Sequence, residues 1–225
     1  MGRITLSSLV EELSNSLFHV NKGFLYTLVS LFTHPGRSLR DFMEGKRKNF
    51  VKPISYVLTL STIYFLITNL MGQNTWMDDF ITGFSFGANN VSDKMQIPAI
   101  LTWFSNNFGY SNLLLLPVFS FASFLAFRKL GASYLEHIVL NAYITGQQAL
   151  FYALFAVLGK WISSDILDMF PVLIAMAYAF WVFWQFFSSG NRFVNLLRSL
   201  FTYFLYLLFS TWLLLLVMGV SEVLG

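Results

Sequence analysis

Five basic residues stand close together ahead of the first long apolar stretch of this 225-residue sequence. They occur in the segment HPGRSLRDFMEGKRKNF and are Arg37, Arg40, Lys46, Arg47 and Lys48. Clustered cations beside a membrane span attract anionic lipid headgroups, and a pair of arginines can hold a phosphate through paired hydrogen bonds. The cluster therefore predicts contact with anionic lipid or phosphate, and its simplest role is to hold positive charge on one side of a membrane.

A second group of polar side chains interrupts the apolar stretch YLEHIVLNAYITGQQALFY. We call this group the polar stripe, and its members are Glu136, His137, Asn141, Thr145, Gln147, Gln148 and Tyr152. On a helix, most of these positions fall within an arc of roughly 80°. Polar groups are costly in hydrocarbon, so the stripe has to face other helices or a wet cavity. It predicts either interhelical hydrogen bonding or a polar pathway or ligand pocket.

The sequence offers no other site for chemistry. It has no cysteine, which excludes thiolate chemistry and disulfides. It has three histidines. Glu136 and His137 are adjacent and diverge by about 100° on a helix, so they are poorly arranged as metal ligands. Nucleotide-binding and nucleophile motifs do not occur. We therefore expect no catalytic residue, no metal, no cofactor and no nucleic-acid partner.

The composition requires a membrane. Hydrophobic residues make up 56% of the chain and charged residues only 11%, against about 25% charged residues in a soluble domain. Five stretches are each close to the length of a bilayer crossing. The predicted spans are Ile54–Met71, Leu113–Phe127, Leu140–Leu158, Pro171–Phe187 and Leu200–Gly219. We expect an all-α protein in which residues 51–225 form a five-span membrane domain.

Basic residues predict the orientation of these spans. Every Lys and Arg except Lys94 and Lys160 falls before the first span or in the second-to-third or fourth-to-fifth connection. Short basic connections remain cytoplasmic, so we expect the N-terminus inside and the C-terminus outside. Residues 1–50 would form a cytoplasmic or interfacial region, with an amphipathic helix from Leu6 to Leu17 and a second apolar helix at Phe24–Phe32, interfacial or re-entrant.

Two stretches resemble an uncharacterised bacterial family of multi-pass membrane proteins, a domain of unknown function. The first is GFLYTLVSLFTHPGRSLRDFMEGKRKNFVKPISYVL, in which the resemblance rests on Gly23, Phe24, Pro35, Gly36, Arg37, Arg40, Gly45, Lys46, Arg47, Pro53 and Tyr56. The second is YLEHIVLNAYITGQQAL, with Glu136 and His137. Many members carry a cysteine zinc ribbon ahead of the first block, and this chain has no cysteine. The resemblance implies the bacterial inner membrane. The five-span layout is also similar to that of the Yip-type proteins of membrane traffic.

Three functions remain open from the sequence. The leading hypothesis is a non-enzymatic scaffold or accessory subunit of a larger membrane assembly, with anionic lipid headgroups and a membrane-protein partner or a second copy of the chain as partners. The alternative is a small transporter or channel-like protein that uses the polar stripe. The third is an enzyme that modifies a lipid headgroup. That enzyme would use Glu136 and His137 for acid–base chemistry and Arg37 and Arg40 to hold phosphate.

Overall fold

The computed structural model describes residues 22–89, 99–161, 165–189 and 191–224, and all regular structure within these ranges is helical. Helix α1 covers residues 22–33. The helices that follow are α2 (Pro35–Met43), α3 (Pro53–Met71), α4 (Trp76–Asn89), α5 (Ala99–Asn106), α6 (Phe108–Phe127), α7 (Tyr134–Gly159), α8 (Asp165–Phe186) and α9 (Arg192–Leu224). A 3₁₀ turn, Arg128–Leu130, follows α6. The amphipathic helix predicted from Leu6 to Leu17 lies outside the described residues.

Four helices within the described ranges are long and apolar enough to cross a membrane. They are Pro53–Met71, Phe108–Leu130, Tyr134–Gly159 and Arg192–Leu216. The protein is therefore an all-helical protein with four candidate membrane spans. The apolar part of α8, Phe170–Phe186, is shorter than these four. Pro171, expected to open this span, instead lies inside α8.

Helix α7 is the centre of the bundle because it packs against α3, α6 and α8, while α9 packs against α6 and α8. The contact between α3 and α7 is close at Gly146, where an added Cβ would lie 2.6 Å from Cδ1 of Tyr56. Only a residue without a side chain allows the two helices to approach this far. Around the contact, the rings of Tyr56 and Tyr143 lie 5.5 Å apart and are nearly fully buried.

The bundle has two ends, which differ in charge. We call one the basic end, where α3 begins after Lys52, α6 ends just before Arg128 and α9 begins at Arg192. The other is the open end, where α3 ends at Met71 and α7 ends at Gly159. Successive long helices run between the two ends in alternating directions.

Helices α1 and α2 pack against the bundle as a short hairpin. Thr27 and Leu31 of α1 are buried, while Leu25 and Val29 on its other side are exposed. The Tyr178 hydroxyl of α8 donates to the Leu31 carbonyl over 3.1 Å. Two residues before α3, the Val51 amide donates to Thr27 Oγ1 over 2.9 Å, so the hairpin is tied to the chain that enters the bundle.

Candidate functional site

The polar stripe on α7 divides into two parts that face different neighbours. Near the basic end, His137 and Asn141 are fully buried against α6. The Asn141 amide donates to Ser123 Oγ over 2.7 Å, and Ser123 Oγ lies 2.8 Å from His137 Nδ1. Ser120 lies on the same face of α6, with its hydroxyl 3.5 Å from the Asn141 amide. This part of the stripe therefore connects α6 to α7.

Gln147 faces a third helix. Its side chain is fully buried and its Oε1 accepts a hydrogen bond from the Tyr56 hydroxyl of α3. Three buried atoms of the stripe have no hydrogen-bond partner among the described residues, namely His137 Nε2, Asn141 Oδ1 and Gln147 Nε2. An unpaired buried polar atom costs about 1–3 kcal/mol. Interhelical bonding thus uses only part of the hydrogen-bonding capacity of each side chain.

The second part of the stripe lines a cavity, which we call the chamber. Thr145, Gln148 and Tyr152 of α7 contribute to its wall, and its volume is about 560 Å³. The Gln148 amide donates to the Ala175 carbonyl of α8 over 2.9 Å and to the Tyr203 hydroxyl of α9 over 3.0 Å. Walls also come from α4, α6, α8 and α9, through residues that include Trp76, Asn112, Phe119, Val172, Met176 and Tyr206.

A second cavity of about 510 Å³ adjoins the chamber on the side of the open end. The two cavities share Trp76, Asp79, Tyr152 and Val172 as wall residues. The second one is also lined by Gln73 and by Asn74, which is exposed, in the connection between α3 and α4. The chamber therefore has a polar mouth at the open end of the bundle.

Packed aromatic side chains fill the bundle near the basic end. Phe127 of α6 stacks on Phe187 just after α8, with ring centroids 4.3 Å apart, and on Phe183 at 5.1 Å. The His137 ring stacks on Phe187 at 5.6 Å. All four side chains are buried. The first part of the stripe and this aromatic cluster together close the bundle on the side away from the chamber mouth.

The basic cluster is also divided, because most of its cations are engaged by the protein. The Arg40 guanidinium donates to the Phe186 carbonyl over 3.0 Å and to the Gln185 carbonyl, at the C-terminus of α8. A cation there interacts favourably with the helix dipole. Arg47 donates to the Phe42 carbonyl over 3.0 Å, and its guanidinium lies 5.1 Å from the centre of the Phe42 ring.

Lys46 is engaged by carboxylates. Its Nζ lies 2.6 Å from Asp41 Oδ1 and 3.1 Å from Glu44 Oε2. The hydrogen bond from Lys46 lowers the pKa of the Asp41 carboxyl, and the hydrogen bonds to Asp41 and then Glu44 raise the pKa of Lys46. The remaining members of the cluster, Arg37 and Lys48, are exposed, and Arg37 Nε approaches Asp41 only to 3.9 Å.

Glu136 has a local structural role. Its carboxylate accepts from the Ser133 amide over 2.6 Å, and its own amide donates to Ser133 Oγ over 3.3 Å. This reciprocal pair is a capping box, and it starts α7. The adjacent His137 is buried against α6, while Arg40 caps α8. Each of these three side chains therefore has an interaction within the protein.

Several residues of the site were not singled out from the sequence. Ser120 and Ser123 bind the stripe from α6, and Tyr203 and Tyr206 line the chamber from α9. Small polar residues spaced three apart in the apolar α6 are a usable signal for helix contacts in membranes. The tyrosines give no such signal, since ringed residues occur throughout this chain.

Comparison with protein families gives one match. Residues 21–65 match a family described as "Protein of unknown function (DUF3667)". This confirms the resemblance to an uncharacterised family over a segment that includes the α1–α2 hairpin and ends within α3. The matched segment includes Gly36 and Arg40, which contact the end of α8. Comparison with curated proteins and with solved structures gave no match.

Proposed function

We propose that this is a five-span protein of the bacterial inner membrane that admits a small molecule into the chamber from the open end, as a small transporter or carrier does. The observation that carries the proposal is a chamber of about 560 Å³ lined by Thr145, Gln148 and Tyr152 of the stripe. Polar side chains are costly in a membrane, and those that line a cavity commonly mark a substrate path. The volume is in the usual range for a small-molecule site.

Helix α8 is the fifth span in this proposal. At 22 residues it is about 33 Å long, which matches a hydrocarbon core of about 30 Å. It packs against both α7 and α9. If α8 did not cross the membrane, the basic starts of α7 and α9 would lie on opposite sides of it. That arrangement conflicts with the distribution of Lys and Arg.

Charge also supports the proposed orientation. Arg128, Lys129 and Arg192 lie at the basic end, and the hairpin that carries Arg37 and Arg40 packs there against the end of α8. We assign this end to the cytoplasm, which directs the chamber mouth at Asn74 to the opposite side. Within the basic cluster, Arg37 and Lys48 are the side chains free to contact anionic lipid headgroups in this arrangement.

A scaffold or accessory subunit remains the competing proposal, with a membrane protein or a second copy of the chain as partner. Its best surface is a groove of about 510 Å³ between α6 and α9, lined by residues that include Phe121 and Trp212. An acyl chain fills such a groove as well as a partner helix does. The groove therefore favours neither proposal, whereas a polar chamber favours the carrier.

The absence of cysteine allows a direct test with single thiols. Thr145→Cys introduces a thiol in the chamber wall, and Asn74→Cys introduces one at its mouth. Ile63→Cys on α3 is the matched control, because Ile63 lies halfway along a span and is 38% exposed on the bundle surface. A membrane-impermeant thiol reagent is added to either side of sealed vesicles containing one variant.

The proposal predicts that Thr145→Cys and Asn74→Cys react from the same side, which is the periplasmic one, and that Ile63→Cys does not react. A thiol facing lipid is not ionised and is out of reach of a water-borne reagent. If Thr145→Cys is as unreactive as Ile63→Cys, the chamber is dry and the carrier proposal fails. Labelling of Asn74→Cys from the cytoplasmic side would reverse the assigned orientation.

A further inference from the structure

Uncharged groups supply the hydrogen-bonding capacity of the chamber. The polar side chains that line its interior are amides, hydroxyls and phenols, namely Asn112, Thr145, Gln148, Tyr152, Tyr203 and Tyr206. Asp79 is the one charged residue among the described wall residues, and it lies at the exposed mouth, where the Asn74 amide approaches it to 3.5 Å. Among the residues that the structure describes, no Lys or Arg lines the chamber, the second cavity or the apolar cavity beside them.

This distribution selects against charged ligands. A buried charge is tolerated only when it is paired and hydrogen-bonded. Among the described wall residues, an anion bound beside Gln148 would find no cation, and a cation would find no carboxylate at that depth. A ligand that occupies the interior of the chamber is therefore uncharged.

The chamber also offers a matched donor and acceptor in one place. Both amide hydrogens of Gln148 are used, by the Ala175 carbonyl and the Tyr203 hydroxyl, and these bonds fix the orientation of the amide. Gln148 Oε1 then remains as an acceptor, and the Tyr203 hydroxyl, which accepts from Gln148, retains its own hydrogen as a donor. A hydroxyl group of a ligand can donate to Gln148 Oε1 and accept from Tyr203, and a carbonyl group can accept from Tyr203.

A third, apolar cavity adjoins the chamber, and we call it the branch. It has a volume of about 70 Å³ and shares Phe80, Leu115, Tyr206 and Leu207 with the chamber wall. Its other walls are mainly aliphatic and aromatic, from residues that include Leu101, Phe104, Leu213 and Leu214. A hydrocarbon tail in the branch exchanges water for apolar contacts, which is favourable in proportion to the buried area.

We propose that the chamber binds an uncharged amphipathic molecule, whose hydroxyl or carbonyl head lies beside Gln148 and Tyr203 and whose hydrocarbon tail extends through the chamber so that its end reaches the branch beside Leu101 and Leu213. The inference rests on the proposed function and names its ligand class. Two kinds of molecule have such a head group. One is a membrane lipid with a neutral head, and the other is a short water-soluble alcohol or ketone. They differ in whether the tail is long enough to use the apolar branch.

The test uses protection of the Thr145→Cys thiol in lipid nanodiscs. The probes are 1-dodecanol, dodecanesulfonate and dodecyltrimethylammonium, which share one chain and differ in head charge. If the thiol reacts only in protein that has no probe bound, 1-dodecanol at about ten times its Kd should slow labelling about tenfold. The two charged probes should leave the rate unchanged, and the Asn74→Cys thiol at the mouth controls for effects of the probes on the bilayer.

Two further comparisons test where the head and the tail of the ligand bind. Gln148→Leu in the Thr145→Cys background should weaken protection by 1-dodecanol about fivefold, the loss expected for one hydrogen bond. Gln147→Leu is its matched control, because Gln147 faces Tyr56 rather than the chamber, and protection should be unchanged. 1-Hexanol, with the same head and a shorter tail, should protect much less than 1-dodecanol.

The outcomes separate the inference from the function on which it rests. Unreactive Thr145→Cys without any probe overturns both. A reactive thiol that the charged probes protect as well as 1-dodecanol, or that no probe protects, overturns the ligand class alone. Equal protection by 1-hexanol and 1-dodecanol overturns the assignment of the tail to the branch and favours a water-soluble ligand.

Discussion

Asn141 shows how a single side chain can connect two membrane helices. Its amide donates to Ser123 Oγ over 2.7 Å, and Ser123 also lies against His137. Hydrogen bonds of this kind in membrane proteins contribute about 0.6 kcal/mol on average and up to about 1.7. Because the contact lies away from the chamber wall, we expect it to hold α6 against α7 rather than to bind a ligand.

Asn141→Leu should therefore lower the free energy of unfolding by about 0.5–2 kcal/mol. The measurement is reversible unfolding in mixed micelles, in a double-mutant cycle with Ser123→Ala, and a positive coupling energy is expected for this pair. Labelling of the Thr145→Cys thiol should not change. Unchanged stability together with altered labelling would instead connect Asn141 to the chamber.

Arg37 and Arg40 differ in role although they belong to one basic cluster. Arg40→Gln removes the guanidinium from the C-terminal carbonyls of α8, and we expect a loss of about 1–3 kcal/mol, the range for hydrogen bonds from a charged group. Arg37→Gln should leave stability unchanged, since Arg37 is exposed. Thermal unfolding of the purified variants checks both expectations.

Lipid binding should show the opposite pattern for the two arginines. Arg37→Gln should reduce retention of anionic lipid by a small, salt-sensitive step, and Lys48→Gln should do the same, because each exposed cation contributes about 1 kcal/mol near a membrane surface. Native mass spectrometry of co-purified lipid measures the retention. If Arg40→Gln abolished retention at unchanged stability, Arg40 would belong to a phosphate site, and this would support the enzyme hypothesis.

At the scale of elements, the hairpin depends on the close approach of α2 to α8. A Cβ added at Gly36 would lie 2.3 Å from the Gln185 Cβ and 2.5 Å from its backbone carbonyl carbon. The Gly36 amide also donates to Gln185 Oε1 over 3.1 Å. Backbone atoms cannot move aside as a flexible side chain does, so any side chain at position 36 displaces α2.

Gly36→Ala should consequently destabilise the protein by about 1–3 kcal/mol, the usual cost of overpacking a close contact. Gly83→Ala is the control, since Gly83 lies in α4 with no atom near its added Cβ. Alanine there should be neutral or stabilising by about 0.5–1 kcal/mol. Protease sensitivity of the hairpin and thermal unfolding measure the difference. Equal behaviour of the two variants would show that α2 is not held against α8.

The elements also show what the sequence alone can predict. Apolar length identifies α3, α6, α7 and α9, because a bilayer sets the length of each helix. The predicted span Leu140–Leu158 lies within α7, which begins earlier, at Tyr134, because the Ser133–Glu136 capping box starts the helix there. The periodicity of the stripe indicates that it faces inward. It does not indicate which neighbour each member meets, because this depends on how α6, α8 and α9 pack around α7.

At the scale of the whole molecule, the chamber opens at one end of the bundle and aromatic packing fills the other. Gln73 and Asn74 line the mouth, whereas Phe127 and Phe187 stack near the basic end. Under the carrier proposal, this asymmetry predicts that the ligand exchanges with one side of the membrane. The side it serves depends on the number of spans and their orientation.

Reporter fusions should determine that orientation. With α8 as a span, a fluorescent protein fused after Gly131 or Ser189 should be active, and alkaline phosphatase should be active after Gln73 or Gly225. The physical reason is that the basic connections that hold Arg128 and Arg192 remain in the cytoplasm. Ser189 is the decisive position, because it follows α8 directly. If alkaline phosphatase is active after Ser189 and silent after Gly225, α8 does not cross and only four spans remain. The basic start of α9 would then lie outside, against the charge distribution from which the orientation was predicted.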